Sequence, residues 1–221
     1  MNDSTLVAVK VVPNWLHDGN DVGVVSELLT SAQSLRLRLY RSVRPLDETA
    51  KHRMLLDILE ALVVLHAHDI THRDLSLAHV LLLPDSNAIK LIDYIPTLKN
   101  ASATGSSASL GFSPAYASPE LIRGQLKSHD IEGWKKSDVL SFTVLLVELL
   151  MEEPPWEGEL PHTIVKTIDA YTTRPFMVEY LRVNGVVSPT LEKIVTRAWH
   201  ENPEKRPTAA SLLRKLEDAF S

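Results

Sequence analysis

The chain has 221 residues, of which 44% are hydrophobic and none is cysteine. This length is enough to bury one substantial core with a small second lobe beside it, and the lack of cysteine excludes disulfides and thiolate metal sites. Lysine and arginine number 23 against 28 acidic residues, a net charge of −5, so neither nucleic acid nor an anionic membrane is the expected partner.

The longest apolar run covers residues 139–151 and contains Glu148. A membrane-spanning helix needs about 20 apolar residues, so the run predicts a buried core helix and no membrane association. The amino end shows no charged and then apolar leader, which favours an intracellular, cytoplasmic location.

The first 33 residues predict one strand and one helix. Residues 6–12 are rich in β-branched side chains and stop at Pro13, as a strand does. Over residues 21–33 the apolar residues follow a helical spacing, and Asp21 is a suitable N-cap. This predicted helix carries Glu27.

The next segment is ambiguous by its local pattern. Residues 35–39 alternate leucine and arginine, which is typical of a strand, but Leu35 and Leu39 also share one face of a helix. From Thr49 the pattern is clearer, because apolar residues repeat at helical spacing through Leu65 after the acidic pair Asp47 and Glu48.

The remaining chain predicts a hairpin, a loop and three helices. Apolar runs at 80–83 and 89–92 flank a turn-like Pro-Asp-Ser-Asn and indicate paired strands. Residues 100–111 are small and polar, which is typical of a mobile loop. Helices are predicted from Ser137, around 191–199, and over 208–220.

An ordered set of motifs resembles the eukaryotic protein kinase domain over nearly the whole chain. The matching residues are Lys10 in Val7-Ala8-Val9-Lys10, Glu27, His72-Arg73-Asp74-Leu75, Asp93-Tyr94-Ile95, Ser118-Pro119-Glu120, Lys136–Phe142, Glu153–Trp156 and Arg206-Pro207-Thr208. Trp199 and Pro203 favour the tyrosine-kinase and tyrosine-kinase-like branches within the protein kinases.

The resemblance implies an α+β fold of the protein kinase type. Residues 34–221 would form a mostly helical large lobe, the C-lobe, with an activation segment at about 93–120. Residues 1–33 would be the remnant of a truncated small lobe, the N-lobe, with one strand and one helix. The resemblance to the helix after the hinge also favours a helix over a strand for residues 35–39.

The resemblance also implies a role for each charged residue of the site. Asp74 would be the catalytic base, Lys10 would hold the phosphates of ATP, Glu27 would hold Lys10, and Asp93 would bind magnesium, since phosphoryl transfer depends on positioning and charge neutralisation. Arg73 would belong to the catalytic loop and read a phosphate on the activation segment.

Three further residues would be scaffold by the same resemblance. Asp138 would hold the backbone of the catalytic loop, and Glu120 would pair with Arg206 to lock the activation segment. Candidate phosphate acceptors in that segment are Ser102, Thr104, Ser106, Ser107 and Ser109.

The chain departs from the family pattern at the nucleotide site. His79 stands where the family has an asparagine that supplies an oxygen to magnesium, and Ile95 stands where it has glycine. Only nine residues precede Lys10, which leaves no room for the glycine-rich loop, and the hinge strands are missing before residue 34. We therefore expect weak binding of ATP and Mg²⁺.

Two functions remain open from the sequence. The favoured one is a protein-kinase-family domain whose transfer of phosphate from ATP to serine, threonine or tyrosine hydroxyls is weak or lost. The alternative is a non-catalytic binding module or scaffold, and in both cases the partner is a protein. A chain that has lost coding segments for strands and hinge is a third interpretation, in which His79 and Ile95 would remain.

Overall fold

A computed structural model describes most of the chain. It covers residues 7–12, 22–27, 32–42, 44–83, 88–94, 113–156, 158–169 and 188–221, the first two segments by their backbone only. The strands of these segments are β1 (Val7–Val12), β2 (Val22–Glu27), β3 (Gln33–Ser34), β4 (Val80–Leu82) and β5 (Ile89–Leu91). Their helices are α1 (Leu35–Arg41), α2 (Glu48–Ala67), α3 (Pro119–Ile122), α4 (Ile131–Met151), α5 (Pro161–Asp169), α6 (Pro189–Ala198) and α7 (Ala209–Phe220).

The amino-terminal segment forms two strands, so the helix predicted over residues 21–33 is wrong. β1 pairs antiparallel with β2, with Lys10 opposite Val24 and Val7 opposite Glu27. Three valines and a glycine in residues 22–25 favour an extended backbone over a helix. Pairing also satisfies backbone groups that a lone strand would leave open. The predicted strand is confirmed.

The ambiguous segment after residue 34 is a helix, as the family resemblance indicated. Ser34 is its N-cap, and its hydroxyl accepts a hydrogen bond from the Leu37 amide at 3.3 Å. Leu35 is fully buried, whereas Leu37 is 45% exposed. The leucines therefore divide between a core face and a solvent face of α1, which explains why the alternation did not produce a strand.

Two long helices carry the core. α2 begins after Asp47, whose carboxylate accepts a hydrogen bond from the Ala50 amide at 2.7 Å. In α4 every residue from Ser137 to Leu150 is buried, which confirms the predicted core helix. That helix begins at Ile131, six residues before the predicted start, because its first turns are partly exposed and polar and are capped by Asp130.

A three-stranded antiparallel sheet lies beside these helices. The predicted hairpin is confirmed, with β4 paired to β5, and β3 adds to the other edge of β4. The turn at 84–87 and the loop predicted over 100–111 lie outside the described residues.

The carboxy-terminal helices agree with the sequence prediction. α6 and α7 lie where they were predicted, and Thr208 caps α7 by accepting from the Ser211 amide at 3.2 Å. The sequence missed the short helix α3 and the helix α5. None of the helices in the described ranges combines the length and apolarity that crossing a membrane requires.

Candidate active site

The backbone of the loop that carries Asp74 is held by Asp138 of α4. One carboxylate oxygen of Asp138 accepts from the His72 amide and the other from the Arg73 amide, both at 2.8 Å. His66, in the last turn of α2, contacts the same carboxylate at 3.0 Å. Arg73 has a left-handed backbone with φ of 68°, which is costly for a side chain of this type. The predicted scaffold role of Asp138 is confirmed.

Arg73 points into the protein. Its guanidinium donates to the Thr71 hydroxyl and the Ser128 carbonyl, both at 3.0 Å, and lies 4.6 Å from the ring centre of Trp134. Burial lowers the pKa of Arg73, and the negative charge of Asp138 opposes this shift. The phosphate-reading role stays a prediction, because its five candidate acceptors lie outside the described residues.

The carboxylate of Asp74 has neighbours at both oxygens. Oδ1 accepts a hydrogen bond from the Ser113 amide at 2.9 Å, just before the turn at Pro114–Tyr116. Oδ2 lies 3.5 Å from Nδ1 of His79. The site that the sequence assigned to the catalytic base is therefore crowded from two sides.

His79 lies between the two acidic residues of the site. It ends the short 3₁₀ turn Leu77–His79 that leads into β4, and its carbonyl accepts from the Ile92 amide at 3.0 Å, which brings the following Asp93 close. His79 Nδ1 is 2.6 Å from the Asp74 carbonyl oxygen, and Nε2 is 3.9 Å from Asp93 Oδ2. A carbonyl only accepts, so Nδ1 carries a proton and Nε2 faces Asp93.

This arrangement does not fit magnesium well. The ion prefers six oxygen ligands in a tight octahedron, and the nitrogen of His79 faces Asp93 on the side where the family supplies an amide oxygen. Asp93 adopts a left-handed backbone with φ of 60°, which aspartate tolerates better than most residues. Ile95 lies outside the described residues.

The structure brings Asp74, His79 and Asp93 together, as the sequence predicted. Lys10 and Glu27 are described by their backbone alone, and Glu27 lies three positions along β2 from Val24, the residue opposite Lys10. The ion pair between them stays a prediction. The helix on which Glu27 was expected is absent, since Glu27 ends β2.

The end of the activation segment is fixed by a buried ion pair. The guanidinium of Arg206 binds both carboxylate oxygens of Glu120, with Nη2 and Oε2 at 2.8 Å. Both residues are buried, and the Arg206 side chain is fully so. It also donates to the backbone carbonyls of His200, Glu201 and Lys136. The predicted lock is confirmed.

The comparison with protein families agrees with this geometry. A family model described as the protein kinase domain matches residues 7–216. The chain belongs to the protein kinase family. The helical large lobe, the loop held by Asp138 and the lock at Glu120 are therefore parts of a protein kinase domain.

Several curated protein kinases resemble this kinase domain in sequence. The serine/threonine-protein kinase mos of Patiria pectinifera is 29% identical over 95% of this chain and 58% of its own length. The mos transforming protein of Moloney murine sarcoma virus is 24% identical over 97% of this chain and 59% of its own length. The CTR1 kinase of Arabidopsis thaliana is 28% identical over 89% of this chain and 23% of its own length. The chain thus spans less than three fifths of these relatives.

Sequence reasoning missed two contacts at or near the kinase site, which is the group of Asp74, His79 and Asp93. The backbone amide of Ser113 donates a hydrogen bond to Asp74. Almost every residue has such an amide, so the residue type at position 113 could not reveal this contact. Glu148 accepts hydrogen bonds from the hydroxyls of Tyr40 in α1 and Tyr116 beside the activation segment. A lone acid within the apolar run of residues 139–151 was the available signal for this second contact.

Burial gives Glu148 and Tyr116 unusual acid strengths. Burial raises the pKa of Glu148 above its usual 4.5, and the hydroxyls of Tyr116 and Tyr40 and the charge of Arg36 oppose the shift. Burial, the charge of Glu148 and the hydrogen bond to it raise the pKa of Tyr116. The hydrogen bonds of Glu148 to Tyr40 and Tyr116 connect α1 to the segment that follows Ser113. They therefore help to position the Ser113 amide that donates to Asp74.

A Glu148→Gln variant is expected to change the pH dependence of stability. A carboxyl that holds its proton more tightly when folded adds stability below about 4.5, and that contribution is lost as pH rises through the raised folded pKa. The advantage of wild type over the variant should therefore shrink between acid and neutral pH in urea unfolding. The exposed Glu60→Gln is the control, and an advantage that grows with pH would contradict the prediction.

Proposed function

We propose that this protein kinase domain transfers phosphate from ATP weakly or not at all and serves chiefly to bind a protein partner. The observation that carries this proposal is the placement of His79 between Asp74 and Asp93. His79 therefore affects both the residue expected to act as base and the residue expected to bind the metal.

Asp74 would be the base of the transfer reaction. A base must present a carboxylate oxygen to the substrate hydroxyl at hydrogen-bond distance. At Asp74 one oxygen accepts from Ser113 and the other lies 3.5 Å from the His79 ring. Each carboxylate oxygen has two lone pairs, so a substrate hydroxyl would share an Asp74 oxygen with one of these neighbours, and that neighbour would weaken the oxygen as a base.

Asp93 would bind the magnesium ion beside His79. The imidazole of His79 is held by a 2.6 Å contact to the Asp74 carbonyl, so it does not readily turn away from Asp93. A nitrogen at this place is a poor ligand for a hard ion. Binding of ATP with Mg²⁺ should therefore be weaker than in a site with the family's asparagine.

An active serine/threonine kinase is the second candidate function. It is supported by Asp74 and Asp93, which are both present, by the loop geometry that Asp138 maintains, and by relatives that are named serine/threonine-protein kinases. Protein hydroxyls would be the substrate in that case.

Thermal unfolding with ATP separates the two candidates. Wild type is expected to show little magnesium-dependent rise in Tm with ATP, because metal and nucleotide bind weakly. His79→Asn restores the oxygen ligand and should increase that rise, whereas the control His162→Asn, an exposed histidine on α5, should leave it unchanged. A large magnesium-dependent rise in wild type, unaffected by His79→Asn, would refute the proposal.

A transfer assay with a protein substrate provides the matching kinetic test. Any measured transfer by wild type or by His79→Asn should be lost in Asp74→Asn, because the amide cannot accept the hydroxyl proton. The control Asp218→Asn changes an exposed carboxylate on α7 and should not affect turnover. Unchanged turnover in Asp74→Asn would assign the activity to a contaminating kinase.

A further inference from the structure

A basic surface lies along α1 and α2 in a chain that is acidic overall. Four arginines occur within residues 36–44, and no acidic residue occurs among them. Arg36 is exposed as well, but its charge acts on the buried Glu148. The basic surface consists of the other three arginines and one arginine of α2, of which Arg38 is half-buried and the rest are exposed. We call it the arginine surface, and its members are Arg38, Arg41, Arg44 and Arg53.

In the part of the chain that the structure describes, the arginine surface is not paired with acids, although Asp47 and Asp57 lie near it. Within the described segments none of the four forms an ion pair. Arg38 instead donates to the Arg44 carbonyl at 2.8 Å, which fixes the loop after α1 against the helix. The last turn of a helix favours cations, which accounts for Arg38 and Arg41. It does not account for Arg44 or Arg53, which are exposed.

A groove opens beside this surface. Its volume is about 410 Å³, and Arg38 and Arg53 are among its lining residues. Three buried side chains contribute an apolar lining, namely Leu46, Met54 and Leu82. Two acids also line the groove: Asp47, one of whose oxygens caps α2, and Asp57. The lining includes none of Asp74, His79 and Asp93, so the groove is distinct from the kinase site.

We propose that the groove and the arginine surface bind an acidic segment of a partner protein. An apolar side chain of that segment enters the groove beside Leu46 and Met54, and its carboxylates pair with the guanidinium groups around it. Guanidinium groups bind carboxylates through two parallel hydrogen bonds. This inference rests on the proposed protein-binding role and names the chemistry of the partner.

The apolar lining favours a peptide over a nucleic acid. Phosphate backbones pair with arginines equally well. An apolar groove beside four arginines, however, fits a peptide that has an apolar side chain flanked by carboxylates. Base recognition in single strands depends on exposed aromatic rings, and the described residues that line the groove include none.

Fluorescence anisotropy with a synthetic peptide tests the inference. The probe is a labelled peptide rich in glutamate with one central leucine, and it is compared with the same peptide carrying lysine for glutamate and with one carrying serine for leucine. We expect the glutamate peptide to bind and to weaken as salt increases. We expect no binding of the lysine peptide and about fivefold weaker binding of the serine peptide, since part of the apolar contact is lost.

Protein variants locate the binding surface. The double variant Arg41→Ala/Arg53→Ala should bind the glutamate peptide about three- to tenfold more weakly and with less salt dependence. Arg214→Ala removes an exposed arginine of α7 and should bind as wild type does. Circular dichroism of each variant shows whether its fold is retained, and the salt dependence of wild type provides a test that needs no variant.

Three results would overturn the inference. They are equal binding by the double variant and wild type, equal binding of the lysine and glutamate peptides, and displacement of the glutamate peptide by a single-stranded DNA oligonucleotide of higher affinity. These results differ from failure of the proposed function, which would appear as efficient magnesium-dependent transfer. Such transfer would leave the peptide result standing, because none of the described residues that line the groove is Asp74, His79 or Asp93.

Discussion

Replacing Arg206 with methionine should reduce the free energy of unfolding by about 3–5 kcal/mol, as breaking a buried ion pair does. The variant leaves the buried carboxylate of Glu120 without its bidentate partner and removes the hydrogen bonds that the guanidinium donates to the carbonyls of His200, Glu201 and Lys136. Chemical unfolding followed by circular dichroism measures the loss.

A double-mutant cycle separates the ion pair from the packing. Glu120→Leu/Arg206→Met should be less destabilised than the sum of the two single variants, because neither buried charge then remains alone. Arg123→Met, at a more exposed pair with Glu201 at 3.4 Å, is the matched control and should cost about 1 kcal/mol or less. Strictly additive single effects would mean that Glu120 and Arg206 do not stabilise each other.

Four helices of the large lobe, α2, α4, α6 and α7, could be predicted because each carries its own local signal. In α2 the apolar spacing and the Asp47 cap mark one face and one end, and in α7 Pro207 and Thr208 mark the start. The start of α4 was missed because residues 131–136 are largely polar and half-exposed, and only the later turns carry the apolar signal.

The structure of the small lobe was harder to predict from the sequence, because it depends on pairing between distant residues. Val24 and Val25 fit a helical stripe as well as a strand, and nothing local reveals that β1 lies opposite. The two-residue strand β3 is likewise defined by β4, which lies 46 residues later in the chain when counted from Ser34 to Val80. Strand pairing is a tertiary property, and a single sequence shows it weakly.

The site residues were predicted through family motifs, and their contacts were not. His79 could be recognised as a departure from the asparagine pattern, but its position between Asp74 and Asp93 depends on the turn at 77–79 and the bond from the Ile92 amide. The contact from Ser113 to Asp74 uses a backbone group that every residue except proline carries.

An Asp138→Asn variant should loosen the loop that carries Asp74 and lower the free energy of unfolding by about 2–4 kcal/mol. The carboxylate accepts from two amides and contacts His66. Asparagine keeps one acceptor oxygen and turns an NH₂ group toward a remaining donor, so one buried amide loses its partner. Either the His72 or the Arg73 amide would then lack the acceptor that fixes the loop backbone.

Amide exchange locates this effect more sharply than unfolding does. The amides of His72 and Arg73 should exchange faster in Asp138→Asn, while amides in α7 should change only as far as global stability falls. The exposed Asp218→Asn is the matched control, and its unfolding free energy should stay within about 0.5 kcal/mol of wild type. If the two loop amides exchanged at the wild-type rate, Asp138 would not be what holds the catalytic loop. The loop would then owe its shape to Arg73 and its contacts with Ser128 and Trp134.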